Sequence, residues 1–519
     1  MLSFLSITAL AVSIYLVWKI HRNLVARRPE DNIPGPPLDS WFLGRHKINK
    51  WVKLARTYGS TFTVKLPIEF LVSHDPKALH HVFVKEADSF PRHPGLMSVP
   101  RSDFQLLIGP GILTAEGVHH RRQRKLLNPV FSSARLRDMT HIFYAGRRYR
   151  GRLPSEGVDH EMDVNGWMAR TTLEMLGQAG LGYSFDNFLE DSTDEFGDSL
   201  KKFFPVLSKS PLLQLSVPFM SYYLSESVLR FLWRHIPYKQ SRAIIEISDT
   251  MYRRSKDIIA KKKLALAKGD QALAHQVGEG KDIMSICCER MDDEELIAQM
   301  SCHFILAGMD TTSNALSRIL YLLSEHPEVQ EKLRGDRSDL AYDDLTRLPY
   351  LDAVCRETLR LYAPVPIAGR MAAKDTVVPL LHPIKGRDGR EMHELVITRG
   401  TFFITNIQAT NVDKTLWGED AEEWKPERWL GPLPSSLEDA RVPGVYAHLM
   451  TFAAGSTACI GFKFSQVEMK VILASMLPCF SFSLTKKEVV WNSSPVIYPS
   501  MGYESDKPEM LLMVKSINV

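Results

Sequence analysis

Cysteine is scarce in this chain, and its pattern excludes two common kinds of site. The six cysteines show neither the paired spacing of a disulfide framework nor the C-x-x-C pairs of a structural zinc site, which favours a reduced, cytosol-facing body. Net charge is also small, because 64 Lys and Arg against 60 Asp and Glu leave only +4. That excess is too weak to indicate a nucleic-acid-binding protein. The cysteines are Cys287, Cys288, Cys302, Cys355, Cys459 and Cys479.

Internal repeats and low-complexity tracts are also missing. Of the 519 residues, 45% are hydrophobic and 24% are charged, a balance that excludes a disordered, collagen-like or polytopic membrane protein. Helical spacing dominates the middle and strand-like segments gather near both ends, which predicts one large mainly α domain with a small β lobe. The predicted helices are 50–58, 76–86, 117–127, 160–180, 240–267, 292–324, 325–334 and 350–361. The predicted strands are 61–66, 70–73, 395–398, 402–406 and 510–514.

One long apolar run does occur, at the N-terminus over residues 2–20. At about 1.5 Å per residue it is just long enough to cross a bilayer core of roughly 30 Å. Cations follow it and only the start amine precedes it, which keeps the C-terminal side in the cytosol. A cleaved signal peptide is the alternative, but the segment lacks leading cations and an A-x-A site. We predict a transmembrane anchor over 1–21, a basic, proline-rich hinge over 22–40, and a body over 41–519.

The predicted helix 292–324 is long enough to pass through the centre of the body, and its middle is a poor helical sequence. Residues 307–312 read Ala-Gly-Met-Asp-Thr-Thr. Glycine is unfavourable inside a helix, and hydroxyl side chains compete for backbone carbonyls. Asp310 beside two threonines therefore indicates a local distortion with a polar purpose. A harmless kink is the alternative.

Cys459 differs from the other cysteines because it lies in a loop of small residues that opens into a helix. Gly455 and Gly461 flank it, so the backbone can approach a ligand closely, and the helix N-terminus favours an anionic thiolate. Neither a nucleophile motif nor a second zinc-ligating cysteine accompanies it. An axial thiolate ligand to haem iron is the remaining chemistry.

Four segments, in this order, resemble those of the membrane-anchored microsomal cytochrome P-450 monooxygenases. They are residues 307–312, Glu357-Thr358-Leu359-Arg360, Pro426-Glu427-Arg428-Trp429 and the loop 452–461. The likeness covers essentially the whole chain. It implies the cytochrome P-450 fold, in which a single large, mainly α domain follows one N-terminal transmembrane helix.

The resemblance also assigns roles to residues. It implies a haem with Cys459 as axial ligand and a loop that binds it through Phe452, Gly455 and Gly461. It implies Asp310 as a proton relay and Thr311 as the hydroxyl that donates to dioxygen. A structural charge network would hold the region behind the loop, and its members would be Glu357, Arg360 and Arg428.

Haem carries two propionates, for which the resemblance implies His120, Arg124 and Arg370 as partners. A solvated basic face is the alternative for the cluster 119–125. One position departs from the family, since Thr457 stands where Arg or His is usual. A threonine cannot neutralise a propionate, so we expect either that haem binding depends more on the other three residues or that haem binds less firmly.

The implied function is an NADPH-driven monooxygenase at the endoplasmic reticulum membrane. The chain has no flavin or Rossmann motif, so its electrons would come from a separate NADPH–cytochrome P-450 reductase, with cytochrome b5 as a further candidate donor. The reductase would dock on the cysteine side, where rim charges steer the encounter. The expected docking residues are Arg121, Arg122, Lys125, Lys463 and Lys470.

The implied substrate is a lipophilic small molecule, because nearly all expected pocket positions are apolar. Those positions are the loop 96–116, Phe304, Ile305, Val365, Ile367 and the loop 494–502. The apolar segment 203–233 either dips into the bilayer or packs in the core. The run 417–430 resembles enzymes of mushroom-forming fungi, which favours a terpenoid or another secondary metabolite.

Two other functions remain open at the level of the sequence. One is a haem-thiolate isomerase or dehydratase that needs no O2, which would tolerate loss of Asp310 and Thr311. The other is a catalytically impaired relative that only binds haem or a lipid, an idea that Thr457 makes conceivable.

Overall fold

The structure is a computed structural model that describes residues 28–36, 50–65, 69–92, 103–145, 159–185, 195–210, 220, 223–268, 282–288, 291–298, 304–334 and 340–517. Helices are its main elements, as predicted. They are α1 (Lys50–Tyr58), α2 (Pro76–His80), α3 (Asp103–Ile108), α4 (Gly117–Leu127), α5 (Ser133–Ala145), α6 (Val164–Leu176), α7 (Glu195–Ser208), α8 (Glu226–His235), α9 (Lys239–Ala267), α10 (Ile283–Cys288), α11 (Asp293–Ala298), α12 (Ile305–Glu325), α13 (Pro327–Leu333), α14 (Tyr342–Thr346), α15 (Pro349–Leu361), α16 (Ile407–Asn411), α17 (Lys414–Trp417), α18 (Ser435–Ala440) and α19 (Phe462–Met476).

The strands form small sheets that join distant parts of the chain. They are β1 (Thr61–Lys65), β2 (Glu69–Ser73), β3 (Asp159–Asp163), β4 (Ile367–Met371), β5 (Thr376–Lys385), β6 (Glu391–Ile397), β7 (Phe402–Asn406), β8 (Gly444–Tyr446), β9 (Leu449–Ala454), β10 (Phe480–Leu484), β11 (Val489–Asn492), β12 (Tyr498–Met501) and β13 (Leu511–Ser516). The largest sheet has the order β1-β2-β7-β4, with β2 and β7 parallel. A second sheet has the order β10-β13-β3, and the remaining strands form the pairs β5-β6, β8-β9 and β11-β12.

Most of the predicted elements are present, but the predicted helix 160–180 is wrong at its start. Residues 159–163 are a strand that pairs with β13, with Asp163 opposite Leu511. The Asp163 carboxylate then accepts a hydrogen bond from the Gly166 N–H and begins α6. A pairing with residues some 350 positions away is not visible in local periodicity. The predicted helix 325–334 likewise begins only at Pro327.

The apolar core surrounds α12, which packs along its length against α6 and also against α15 and α19. Most residues of α12, 15 of 21, are buried. Of the predicted helix 292–324, residues 293–298 form α11 and residues 305–325 form α12, whereas 299–303 lie outside the described residues. The chain thus places the Ala307–Thr312 segment in the middle of the protein.

A charge network behind this core is largely buried. Glu357 and Arg360 of α15 form a bidentate pair with N–O distances of 2.8 and 2.9 Å, and both side chains have no exposed surface. Arg428 Nε lies 3.4 Å from Glu357 Oε1, and the Trp429 indole N–H donates to Glu357 Oε2 at 2.9 Å. The three predicted network residues are therefore brought together.

This network leads to the loop of Cys459. Arg360 donates to the Asn411 carbonyl at 3.0 Å, and the Asn411 side chain bonds the Thr451 hydroxyl at 2.8 Å and the Met450 N–H at 2.9 Å. Met450 and Thr451 belong to β9, the strand that precedes the loop. The Cys459 N–H closes the loop by donating to the Phe452 carbonyl at 2.9 Å.

The N-terminal predictions are only partly within the described residues. The predicted anchor 1–21 lies outside them, and no helix in the described segments is long and apolar enough to cross a membrane. Residues 28–36 of the predicted hinge are described. They are bound to the body, since the Pro34 carbonyl accepts from the Thr63 N–H at 2.8 Å and the buried Glu30 carboxylate accepts from the Thr398 N–H at 2.6 Å.

We predict that Glu357→Gln lowers the free energy of unfolding by about 3–5 kcal/mol, because it leaves the buried Arg360 guanidinium without its counter-charge. Equilibrium denaturation followed by circular dichroism measures this change. The matched control is Glu331→Gln, which removes the acid of a second Glu-x-x-Arg, paired with Arg334 but largely exposed. That substitution is expected to cost less than about 1 kcal/mol. Equal losses in the two variants would contradict the prediction.

Candidate active site

A mainly apolar cavity of about 320 Å³ lies beside Cys459, between α12, α19 and the loop that follows β9. Of the predicted pocket positions, Phe304, Ile305 and Val365 line it. Ile367 does not. Successive side chains of a strand face opposite sides, so Ala368 lines the cavity while Ile367 packs in a second apolar cluster. From the loops 96–116 and 494–502, the cavity is lined by Ile112, Leu113 and Val496, and residues 93–102 lie outside the described residues.

The Cys459 thiol is open to this cavity although it lies deep within the protein. Desolvation by burial raises the pKa of the thiol, while the Gly461 N–H and the Arg124 charge act in the opposite direction. Phe452 and Gly461 also line the cavity, but Gly455 does not. Gly455 has φ +62°, and a Cβ there would lie 2.0 Å from the Phe83 carbonyl oxygen. Only glycine therefore allows the loop to approach the segment 81–85 so closely.

Among the described residues, four basic side chains gather on one side of the thiol, and one acid, Glu116, interacts with two of them, Arg92 and Arg370. Three are the predicted His120, Arg124 and Arg370. The fourth is Arg92, which sequence reasoning missed because no local motif marks it. Its guanidinium donates to the Ile112 and Leu113 carbonyls at 3.0 and 2.9 Å and lies 2.9 Å from His120 Nε2.

His120 is neutral in this cluster. Burial, followed by the charges of Arg92, Arg124 and Arg370, lowers the pKa of His120 to about 4. Since a guanidinium can only donate, Nε2 of His120 must be the acceptor, and the proton of the ring resides on Nδ1. His120 therefore adds a hydrogen-bond donor to the cluster, whereas the fixed positive charges come from the arginines.

The side chains of this site fit a haem. In the segments that the structure describes, a lone thiol faces an apolar space, and three buried or half-buried arginines outnumber the one acid near them. Such a cluster suits anionic groups such as two propionates. Within the described segments, no group of three or more His, Cys, Asp or Glu side chains could hold a metal ion by itself. An iron bound here would thus depend on a single protein ligand and a prosthetic group.

Comparison with known proteins decides the family. The family model for cytochrome P-450 matches residues 34–504. The chain belongs to the cytochrome P-450 family. It is 52% identical to a ganoderic acid synthetase of Ganoderma lucidum over 99% of both chains, and 44% identical to cytochrome P-450 monooxygenase 91 of Postia placenta over 97% of both.

Membership in the cytochrome P-450 family establishes the coarse chemistry. The protein is a monooxygenase with a thiolate-ligated haem iron, and it receives electrons from a redox partner and acts on a small molecule. The predicted family, enzyme class and cofactor are confirmed.

Thr457 departs from the P-450 pattern, and the structure shows what it contacts. Its hydroxyl accepts a hydrogen bond from Arg370 Nη2 at 2.7 Å. Arg370 is buried, its Cζ lies 4.3 Å from the centre of the Phe83 ring, and burial together with the Arg92 charge lowers the pKa of Arg370 to about 9. Thr457 thus orients the cation Arg370, whereas the usual family member carries a cation at the position of Thr457 itself.

The acid and the hydroxyl of the central helix occupy different sides. Thr311 lines the cavity, and its hydroxyl donates to the Ala307 carbonyl at 2.6 Å. Asp310 is buried away from the cavity wall and pairs with Lys201 of α7 at 3.4 Å, while Asn314 donates to it at 3.2 Å. Burial raises the pKa of Asp310, although the Lys201 charge opposes that shift.

One predicted docking residue is wrong, and the apolar segment 203–233 can be placed only in part. Lys470 is buried and paired with Asp352 at 2.7 Å, so it is no rim cation. Arg121, Arg122, Lys125 and Lys463 are exposed. Within 203–233, the core contains Phe203, Phe204, Leu207, Leu229 and Trp233. Tyr223, Val228 and Phe231 are exposed, and 211–219 and 221–222 lie outside the described residues.

We predict that Arg124→Gln lowers the haem retained per folded protein by about tenfold or more, because residues that support a metal ligand commonly have effects of this size. Arg124 reaches the site directly, since Nη1 donates to the Ala458 carbonyl at 2.7 Å. The pyridine haemochrome assay after gel filtration measures the ratio. Arg121→Gln on the same helix is the control, because this side chain is largely exposed and pairs with Asp88. Unchanged haem content in Arg124→Gln would contradict the prediction.

Proposed function

We propose that this cytochrome P-450 oxygenates a terpenoid or similar lipophilic secondary metabolite, with NADPH as the electron source. The observation that carries the proposal is the apolar wall of the cavity, which is lined by Leu113, Phe304, Ile305, Val365 and Val496 among others. A relative at 52% identity is a ganoderic acid synthetase, named for a triterpenoid acid. Both features favour a bulky apolar substrate held by shape and burial of apolar surface.

In this proposal the chain holds its prosthetic group from two sides. Cys459 would supply the thiolate ligand, and Arg92, Arg124, Arg370 and the Nδ1–H of His120 would bind the propionates. When bound, the thiolate-ligated haem supplies the chemistry that cleaves dioxygen. The protein contributes positioning and electrostatics around it.

Protons are delivered by Asp310 and Thr311. The Asp310 carboxyl, whose pKa burial raises, exchanges a proton on the Lys201 side of α12. The Thr311 hydroxyl lies at the cavity wall and passes the proton inward when it leaves the Ala307 carbonyl. In this proposal Asp310 exchanges protons on the side of α12 away from the cavity and Thr311 donates at the cavity wall, while the apolar wall excludes bulk water.

The partner in this proposal is a separate NADPH–cytochrome P-450 reductase, with cytochrome b5 as an additional electron donor. Exposed cations lie on the cysteine side, on α4 and at the start of α19. They are Arg121, Arg122, Lys125 and Lys463, and they suit an acidic partner surface. Residues 2–20 would anchor the chain in the endoplasmic reticulum membrane, with the body over 41–519 in the cytosol.

The test is turnover in membranes that contain this chain and a reductase, with a tetracyclic triterpenoid as substrate. We predict a product one oxygen atom heavier that requires both NADPH and O2. Thr311→Val should lower the product formed per NADPH consumed by about tenfold or more, because a positioned proton donor contributes at least that much.

The control is Ser324→Ala on the same helix. Like the Thr311 hydroxyl, the Ser324 hydroxyl donates to the carbonyl four residues earlier, that of Leu320, at 2.8 Å. It should leave the product yield unchanged. Product formation without NADPH would favour the isomerase or dehydratase function instead. Haem binding without NADPH consumption on any terpenoid would favour the impaired, lipid-binding relative.

A further inference from the structure

Lys201 of α7 is a largely buried cation that contacts the central helix α12. Only 13% of its side chain is exposed. Its Nζ lies 3.4 Å from Asp310 Oδ1, 3.3 Å from Ser313 Oγ and 3.4 Å from Asn314 Oδ1. An ammonium group has three N–H donors, so each of them has an acceptor on α12. Lys201 thus joins α7 to the part of α12 that carries Asp310.

The next residue along the chain, Lys202, shows that burial is particular to Lys201. Lys202 Nζ lies 3.7 Å from Asp198 Oδ2, and these two side chains are 62% and 47% exposed. A surface pair of this kind contributes little to stability. The ammonium group of Lys201, in contrast, leaves water on folding, and a buried charge needs partners to offset that loss. Helix α7 therefore presents one lysine to solvent and the other to Asp310.

The bond from Lys201 is the contact that ties the Asp310 carboxylate to a second helix. Asp310 Oδ1 accepts from Lys201 at 3.4 Å and from Asn314 Nδ2 at 3.2 Å. Asn314 lies one turn further along α12, so its bond stays within that helix. The carboxylate faces α7, whereas the neighbouring Thr311 lines the cavity. Lys201 therefore orients the Asp310 carboxyl towards the side of α12 that lies away from the cavity.

Lys201 also supplies the charge that acts against burial at Asp310. Burial raises the pKa of Asp310, and the Lys201 charge is the largest effect that opposes this shift. On the neighbouring elements, the other titratable groups that face this part of α12 are Tyr498 of β12, Asp163 at the start of α6 and Glu468 of α19. All three are acids. Among the described residues, Lys201 is therefore the cation that favours the charged form of Asp310.

We propose that Lys201 is a positioning residue for proton delivery, which fixes the Asp310 carboxyl towards α7 and keeps it able to change its protonation state. The inference rests on the proposed role of Asp310 as a proton relay. A relay must accept a proton as well as release one, and a carboxyl that burial alone kept neutral could not accept one. When Asp310 gives up its proton, Lys201 stabilises the carboxylate left behind until a proton returns from water on the α7 side.

The first experiment is an infrared titration of the haem-containing protein without substrate. The C=O stretching band of the neutral Asp310 carboxyl is the band that Asp310→Asn lacks, and its intensity is followed against pH. Lys201→Gln keeps N–H donors but removes the charge. It should raise the ratio of neutral to ionised carboxyl at a given pH by about tenfold or more, because an adjacent opposite charge favours the ionised form by at least that much. Lys201→Arg should restore the ratio.

Lys202→Gln is the matched control, because it removes the adjacent lysine on the same helix from an exposed pair. It should leave the titration of Asp310 unchanged. A titration of Lys201→Gln that matches the unaltered protein would overturn the inference, as would an equal change in Lys202→Gln. If Lys201→Gln does not fold, the unaltered protein still decides. A band that keeps its full intensity at every pH at which the protein stays folded would mean that Asp310 never ionises, and would overturn the inference.

The second experiment measures the product formed per NADPH consumed against pH. A proton donor must be neutral to give its proton, so the yield should fall as the pH rises through the pKa of Asp310. Lys201→Gln should move this fall to higher pH, because it removes the charge that lowers the pKa of Asp310. A purely structural role would lower the yield at every pH alike and would overturn the inference. The infrared titration needs neither substrate nor NADPH, so a lack of terpenoid turnover would contradict the proposed function and leave the first experiment valid.

Discussion

The buried carboxylate of Glu357 is the constraint on which the rest of the structure depends. It meets Arg360, Arg428 and the Trp429 indole at once, and each of these groups would be costly to bury alone. Because Arg428 and Trp429 must contact Glu357, the segment 428–429 has to lie against α15. Through the Asn411 side chain the same bonds reach β9, and β9 holds the loop that presents Cys459. The Cys459 thiol is thus positioned by a charge network whose members, Glu357, Arg360 and Arg428, do not line the cavity beside it.

The balance of charge also matters in the basic cluster that would bind the haem propionates. The family's usual cation two residues before the cysteine is missing, and the chain places Arg92 in the same cluster, bonded to His120. Thr457 instead directs Arg370 through a hydrogen bond. The loss of one charge is therefore accompanied by a cation from a different part of the chain. The lowered pKa of His120 follows from this crowding of positive charge.

Sequence reasoning succeeds where the chemistry is local and fails where it depends on distant contacts. The loop 452–461 and the Glu-x-x-Arg of α15 carry their signal within a few residues, and helices such as Gly117–Leu127 show clear periodicity. Arg92 carries no motif, and its place depends on a bridge to Arg370 on β4. The sequence predicts a surface cation at Lys470, but this side chain is buried because it pairs with Asp352 from another helix. Strand β3 exists only because β13 pairs with it. The partner of Asp310, Lys201 on α7, likewise has no local signal in the sequence.

The central claim is that Cys459 holds the haem iron as a thiolate in the site that these networks build. A carbon monoxide difference spectrum of dithionite-reduced membranes tests it most directly, with Cys459→Ala as the comparison. The account predicts a strongly red-shifted Soret band for the unaltered protein, because the axial ligand is an anionic sulfur, and loss of that band in the variant. An unshifted band in folded, unaltered protein, or a red-shifted band that survives in Cys459→Ala, would contradict it.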